Sequence, residues 1–162
     1  MSDQPVGTDR AGELIREGER MDDLQLSGLR IIQKQGGFRF GMDAVLLADF
    51  ARVNPRDHVA DFGTGTGILP LLLAGRNRGA CFEAFELQED MAEMAARSVH
   101  LNGLADRIRI HPCPVEQADR LLPPCSLDAI VCNPPYGLPG STLLNPNAAL
   151  SIARHQTPEG LS

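Results

Sequence analysis

A glycine-rich loop between an apolar run and a helix-like segment is the feature that most restricts the fold of this sequence. The loop reads Asp-Phe-Gly-Thr-Gly-Thr-Gly over residues 61–67 and directly follows a short apolar stretch. Because glycine has no Cβ, the backbone of such a loop can approach a ligand closely, and the helix that it opens presents amides to anionic or nucleotide-like groups. The glycines that we expect to contact a ligand are Gly63, Gly65 and Gly67.

Strand-like and helix-like segments alternate around and after this loop. We predict strands at 58–62, 81–87, 108–111 and 127–132, and helices at 68–74 and 90–101. Alternation of this kind is typical of an α/β fold with a parallel sheet, and right-handed crossovers place ligand sites at the carboxyl ends of the strands.

The residues before this core are predicted to form two parts. Residues 1–23 are rich in charge and glycine and are predicted to be a mobile tail. Residues 24–52 are predicted to form a small hairpin, with strands near 29–33 and 38–40 and a turn at Gly36 and Gly37, followed by a helix over 42–51. The core domain then spans 53–162.

Two acidic residues stand where predicted strands end. Glu86 closes the second strand, where a carboxylate can accept both hydroxyls of a ribose. Asp61 leaves the first strand, where it can accept hydrogen bonds from loop amides or reach the amino group of a methionine-like ligand. The glycine spacing is GxGxG rather than the GxGxxG of dinucleotide folds, so a nicotinamide nucleotide is the weaker alternative, as is a tight turn beside an unrelated surface acid.

The fourth predicted strand runs directly into Asn133, Pro134, Pro135 and Tyr136. Two prolines cannot donate to a sheet ladder, so the strand must end, and the residue before a proline is held extended. The side-chain oxygen of Asn133 and the carbonyl of Pro134 can then accept hydrogen bonds from one amino group, while Tyr136 can stack on a base. The pattern therefore predicts methylation of an exocyclic amino nitrogen by a sulfonium methyl donor, unless the segment is only a proline-rich turn.

Composition limits the partners and the location. The 162 residues carry a net charge of −6, which argues against a broad basic surface for nucleic acid, so any RNA contact must be local or supplied elsewhere. Four cysteines without a CxxC pair favour reduced side chains over metal or disulfide sites. No apolar run approaches the roughly 20 residues of a membrane span, so we expect no membrane association, no metal and a cytoplasmic location.

The motifs DFGTGTG, FEL and CNPPY resemble those of the amino-methylating S-adenosylmethionine methyltransferases, which have a Rossmann-like fold. The segment GGFRFGMDAVLLA further resembles the bacterial tRNA adenine-N6 methyltransferases that act on valine tRNA, over about residues 24–156. Arg154, His155 and Gln156 are similar to the family's ARHE stretch, from which Gln156 departs. The resemblance implies S-adenosylmethionine as cofactor and an RNA substrate, most simply a tRNA.

The resemblance also implies further cofactor contacts. Gln33, Phe38 and Asp43 would line the methionine end of the pocket, although Asp43 is equally explained as a charge in the first turn of a helix. Leu87 and Asn133 would complete the pocket, and Glu116 is the nearest candidate to hold the cofactor adenine, because Pro114 occupies the region where many such enzymes place an acid.

The family has three further strands after the helix that residues 147–155 are predicted to begin, so we expect a sheet that is incomplete after its fourth strand. Two alternatives to an RNA adenine-N6 methyltransferase stay open. One is a protein glutamine-N5 methyltransferase, whose family carries a long helical domain before the glycine loop. The other is a truncated, non-catalytic module that binds the cofactor or pairs with a second subunit. The tRNA, the modified position and the oligomeric state are not determined by the sequence.

Overall fold

The protein combines a four-stranded parallel sheet with a separate two-stranded hairpin. The computed structural model describes residues 12–36 and 40–134. In chain order its elements are β1 (Glu19–Asp23), β2 (Arg30–Lys34), α1 (Met42–Phe50), β3 (His58–Phe62), α2 (Ile68–Gly75), β4 (Cys81–Phe85), α3 (Glu89–Leu101), β5 (Ile108–His111), α4 (Ala118–Leu121) and β6 (Ala129–Cys132), with short 3-10 turns at Gly12–Leu14 and Val115–Gln117.

The central sheet has the strand order β5-β4-β3-β6, and every neighbouring pair is parallel. The chain therefore builds outward from β3 to β5 and then crosses to the other side of β3 to form β6, so the direction of winding reverses beside β3. This arrangement confirms the predicted parallel α/β fold. β3 and β5 have the predicted bounds, whereas β4 ends at Phe85 and β6 begins at Ala129.

The three longer helices bury apolar faces of different widths. The seven residues 68–74 of α2 are all buried, as expected for a helix that is apolar on all sides. α3 is amphipathic and buries Met91, Met94, Ala95, Ser98 and Val99 among its inward residues. α1 buries only Ala44 and Ala48, whose small side chains let it pack against α2.

The N-terminal segment differs from its prediction. Residues 19–23 form β1, which pairs antiparallel with β2 in the register Glu19↔Lys34 to Asp23↔Arg30. The predicted mobile tail up to Asp23 is therefore wrong at these residues, and β2 forms a hairpin with the strand that precedes it. Residues 1–11, the first part of the predicted tail, lie outside the described residues, as do residues 37–39 with most of the predicted strand near 38–40, and residues 135–162 with the predicted helix over 147–155.

Contacts with α3 explain why this polar segment is ordered. Arg97 of α3 donates two hydrogen bonds of 2.6 Å to the carboxylate of Glu19, and two of 2.9 Å to that of Glu93. The side chains of Arg97 and Glu19 are only 12% and 8% exposed. The Arg97 guanidinium lowers the pKa of Glu19, so the ion pair is present at neutral pH. A charge that a sequence pattern assigns to solvent is here buried against a partner 78 residues away.

Arg97→Leu should lower the free energy of unfolding by about 3 kcal/mol, because it leaves the Glu19 carboxylate buried without its cation. Urea unfolding at neutral pH measures the change. Arg16→Ala is the matched control, because Arg16 pairs with the same Glu93 from a side chain that is 64% exposed, and exposed pairs contribute about 0–1 kcal/mol. Equal effects of the two variants would contradict the buried role of Arg97.

Candidate functional site

Four loops leave the sheet at one edge because the parallel strands end in register. Phe62 pairs with Phe85 and with Cys132, and Phe85 pairs with His111. The alignment continues past the strands, since the amides of Gly63 and Thr64 both donate to the Phe85 carbonyl at 2.9 Å. The glycine loop, the segment after Glu86 and the loop that begins at Asn133 therefore start side by side.

The glycine loop has a similar backbone conformation at its three glycines. Gly63, Gly65 and Gly67 have φ values of 75°, 59° and 84°, in the left-handed region that favours glycine. A Cβ on Gly65 would meet no atom within 4 Å, so the described surface above this residue is open. A Cβ on Gly67 would lie 3.3 Å from that of Ala95, so Gly67 lets α3 approach the start of α2. The loop backbone is thus open at Gly65, whereas at Gly67 it packs closely against α3.

Glu86 ties the glycine loop to the start of α3. Its carboxylate accepts hydrogen bonds from the amide of Gly65 at 2.8 Å and from the amide of Gln88 at 2.9 Å. The residue is 7% exposed, and burial raises the pKa of Glu86 while these two amides oppose that rise. These contacts place the Glu86 carboxylate against the glycine loop, and its predicted role at a ribose stays a prediction.

Asp61 is a fully buried carboxylate at the end of β3. Neither of its oxygens has a well-formed hydrogen bond among residues 12–36 and 40–134, and the same holds for the hydroxyl of Thr64. Burial raises the pKa of Asp61 to about 7, with the nearby Thr64 side chain lowering it and the charge of Glu86 raising it further. The sequence predicted that Asp61 either accepts hydrogen bonds from loop amides or reaches the amino group of a ligand. The described loop amides do not donate to Asp61. The carboxylate is suited to a positively charged ligand group.

Asn133 meets the start of α1. Its Nδ2 donates to Oδ2 of Asp43 at 3.0 Å, which joins two predicted site residues 90 positions apart. Asn133 and Pro134 are both partly buried at the end of β6. Pro135 and Tyr136, which the sequence assigns to the same loop, lie outside the described residues.

The other residues that the sequence assigns to the cofactor differ in burial and in hydrogen bonding. Gln33 is 1% exposed, with Nε2 donating to Asp22 at 2.8 Å and Oε1 unpartnered within the described ranges. Leu87 follows Glu86 with a 58% exposed side chain, whereas Glu116 is exposed on a 3-10 turn and makes no hydrogen bond to the glycine loop in the described part of the chain. Phe38 lies outside that part.

Thr64 is a buried residue of the glycine loop that the sequence pattern did not single out. It is 3% exposed beside Asp61, and its place between Gly63 and Gly65 was the available signal. Within the described ranges, no three His, Cys, Asp or Glu side chains are grouped as a metal site, and no helix has the length and apolar character needed to cross a bilayer.

The sequence is similar to known methyltransferases over most of its length. Residues 37–150 match the methyltransferase small domain family. A Tolumonas auensis protein named tRNA1(Val) (adenine(37)-N6)-methyltransferase is 33% identical over 126 residues, which cover 77% of this chain and 51% of that protein. The chain spans about half the length of the curated relatives that it matches.

Solved structures with similar folds include methyltransferase-like proteins bound to adenosyl compounds. P. horikoshii TYW2 in complex with MeSAdo matches with a TM-score of 0.52 at 20% identity, covering 62% of this chain and 38% of TYW2. M. capricolum TrmK in complex with S-adenosyl-homocysteine matches with a TM-score of 0.50 at 19% identity, covering 59% of this chain and 41% of TrmK. At these identities the likeness shows the shared Rossmann-like fold.

The buried Asp61 should make stability depend on pH. Between the ordinary value of 3.8 and the folded value of about 7, the folded state holds a proton that the unfolded state has lost. Stability from this group therefore falls as pH rises, by about 1.4 kcal/mol per pH unit, and is constant above the folded pKa. Asp61→Asn removes this dependence and should gain stability relative to wild type across the same window.

Urea unfolding at several pH values between about 4 and 8 measures the difference between variant and wild type. Asp106→Asn serves as the control, because Asp106 is exposed and its side chain forms no hydrogen bond within the described residues. A difference that does not change with pH would contradict the raised pKa of Asp61.

Proposed function

The chain belongs to the methyltransferase small domain family, and on that basis we propose that it forms the cofactor- and amine-binding part of an S-adenosylmethionine-dependent methyltransferase that modifies the N6 amino group of an adenine in tRNA. The single observation that supports this most directly is the convergence of the glycine loop, Glu86 and Asn133 at one edge of the sheet. A methyl donor and an acceptor amine must meet for the reaction, and this edge holds groups suited to each.

The fit to the cofactor rests on two features of the described pocket. The backbone at Gly65 is open above its Cα, and the Asp61 carboxylate beside it is buried without a well-formed hydrogen bond in the described residues. S-adenosylmethionine carries an ammonium and a sulfonium, so a cationic ligand would supply the missing partner for the acid and lower its pKa. We assign Asp61, with Thr64, to the methionine end.

Glu86 and Leu87 are assigned to the adenosine end. Both carboxylate oxygens of Glu86 accept a backbone amide, and each retains a second lone pair for a ribose hydroxyl. The two amides also fix the rotamer of Glu86, so the carboxylate is oriented before any ligand binds. The exposed side chain of Leu87 offers an apolar surface for the adenine ring and directly follows Glu86, which favours it over Glu116, an exposed residue on a 3-10 turn.

Asn133 and Pro134 are assigned to the target amine. The bound cofactor would supply an electrophilic methyl group, which the amine nitrogen would take as the methyl–sulfur bond breaks and a neutral thioether leaves. The methylated nitrogen would then lose one proton to water. The lone pair of an aromatic amine is delocalised, and acceptors for its two N–H groups would favour the pyramidal nitrogen that can attack. The Asn133 side-chain oxygen and the Pro134 carbonyl are suited to this role, and they would also stabilise the positive charge that develops on nitrogen. Pro135 would keep the loop rigid, and Tyr136 would stack on the base.

The tRNA substrate is proposed from the curated relatives. The Tolumonas auensis protein is named for adenine 37 of tRNA1(Val), and similar proteins at 32–36% identity carry the same name. A tRNA substrate would also place the protein in the cytoplasm. The net charge of −6 means that groups near the site, rather than a broad basic surface, must hold the RNA.

Glu86→Ala should weaken the binding of S-adenosylmethionine by about 1.5–3 kcal/mol, because it removes a charged acceptor for the ribose and releases the Gly65 amide. Isothermal titration calorimetry measures the affinity. Glu89→Ala is the matched control: Glu89 is an exposed acid three residues away, at the start of α3. Wild-type affinity in a folded Glu86→Ala protein would reject the assignment of Glu86.

Asn133→Ala should lower kcat for N6-methyladenosine formation by about 100-fold or more, since it removes an acceptor that acts on the transition state. Cofactor affinity should stay within about twofold, because the glycine loop and Glu86 are unchanged. The substrate is tRNA from cells that lack the gene, followed by nucleoside mass spectrometry. Asn77→Gly, at an exposed left-handed position, serves as the control. Near-normal turnover by Asn133→Ala would contradict the mechanism, and absence of turnover by wild type would contradict the function, when both are assayed in a chain that includes the family's further strands.

A further inference from the structure

The first turn of α1 contacts the end of β6 through one hydrogen bond. Asn133 Nδ2 donates to Asp43 Oδ2 at 3.0 Å. The acceptor is a charged carboxylate. The donor is the NH2 group of an amide, and the other end of that amide is an oxygen, which can only accept. The resemblance to known methyltransferases places Asp43 in the cofactor pocket, whereas this hydrogen bond places it against the residue assigned to the target amine.

The backbone before Asp43 leaves room for its carboxylate. Asp43 lies in the first turn of α1, and the next residue, Ala44, anchors the helix in the core at 1% exposure. The other carboxylate oxygen, Oδ1, lies so close to Gly41 that any Cβ at that position would overlap it. Gly41 therefore leaves the space that the carboxylate occupies, and one oxygen rests there while the other accepts from Asn133.

The hydrogen bond selects one orientation of the Asn133 amide. A carboxylate offers only lone pairs, so rotating the amide by 180° would set its oxygen against the oxygen of Asp43 and cost free energy. The observed donor orientation directs Oδ1 of Asn133 away from Asp43. The negative charge also polarises the amide and makes its oxygen a stronger acceptor.

We propose that Asp43 is a positioning residue for methyl transfer: it orients and polarises the Asn133 amide so that its oxygen accepts from the target amino group. This inference rests on the proposed function, because it needs Asn133 to act on an amine. It assigns Asp43 to the acceptor side of the reaction, through Asn133, and predicts an effect on turnover rather than on cofactor affinity.

Three substitutions test this role in the full chain. Asp43→Ala removes the acceptor, and Asp43→Asn keeps an oxygen that can accept but removes the charge. Gly41→Ala leaves every polar group in place and displaces the carboxylate through the new Cβ. Asp49→Asn is the matched control, because Asp49 lies on the same helix, is exposed, and forms no side-chain hydrogen bond within the described residues. Gly12→Ala controls for Gly41→Ala, because its Cβ would meet nothing within 4 Å.

The first readout is nuclear magnetic resonance of the asparagine side-chain amides in ¹⁵N-labelled protein without ligands, with the Asn133 signal assigned by its absence from Asn133→Ala. A proton donated to a carboxylate is shifted downfield, so this signal should move upfield in Asp43→Ala and Gly41→Ala. It should not change in Asp49→Asn. An Asn133 signal that is the same in Asp43→Ala as in wild type overturns the positioning role, whatever the activity of the protein.

The second readout separates turnover from cofactor binding. Asp43→Ala should lower kcat on tRNA by about 10- to 100-fold, the loss expected for a charge-assisted hydrogen bond, while calorimetric affinity for S-adenosylmethionine stays within about threefold. Asp43→Asn should lie between this variant and wild type. A main effect on cofactor affinity would overturn the inference in favour of a cofactor-ligand role. Absence of methyl transfer by the wild-type protein would instead reject the proposed function, and with it any role of Asp43 in turnover.

Discussion

The common register of four parallel strands is the constraint on which the site depends. Because Phe62, Phe85, His111 and Cys132 are register partners, the segments that follow them begin at the same height above the sheet. Backbone hydrogen bonds continue this alignment into the loops, with the Glu86 amide donating to the His111 carbonyl at 3.0 Å. A one-residue slip of β4 or β6 would turn the side chain of Glu86 or Asn133 to the opposite face of the sheet. The strand register therefore sets the positions of the side chains at this edge of the sheet.

The same edge concentrates charge that is costly to bury. Asp61 is fully buried, and Glu86 is 7% exposed. Two backbone amides stabilise Glu86, whereas among residues 12–36 and 40–134 only the nearby Thr64 side chain offsets the desolvation of Asp61. Acids with raised pKa values are common at functional sites, because a bound cation can restore the interactions that folding removed. Burial of the Asp61 carboxylate lowers the stability of the ligand-free protein, and the same carboxylate is suited to a positively charged ligand.

The N-terminal segments connect this edge to the rest of the molecule. Ser98 of α3 accepts a hydrogen bond from the Ile32 amide at 2.9 Å, and Arg97 holds Glu19, so the hairpin of β1 and β2 is fixed on α3. α1 packs on α2 through alanines, and its first turn carries Asp43 to Asn133. Segments that contribute no strand to the central sheet thus stabilise α3 and reach the end of β6. We assign the orientation of the proposed catalytic amide to this second contact.

The sequence by itself determined the elements of the core and the chemistry at their ends. Apolar runs, glycines and prolines act on their immediate neighbours, so the bounds of β3 and β5, the glycine loop between β3 and α2, and the end of β6 before Asn133 could all be predicted. Phe38, Pro135 and Tyr136 remain predictions from motif and resemblance. Only the tertiary structure decided the partner of β2, the burial of Glu19 and the hydrogen bond between Asp43 and Asn133. The contact that buries Glu19 joins residues 78 positions apart, and the hydrogen bond between Asp43 and Asn133 joins residues 90 positions apart. The physical reason that the sequence does not reveal these contacts is that a polar side chain looks the same in sequence whether water or a folded partner satisfies it.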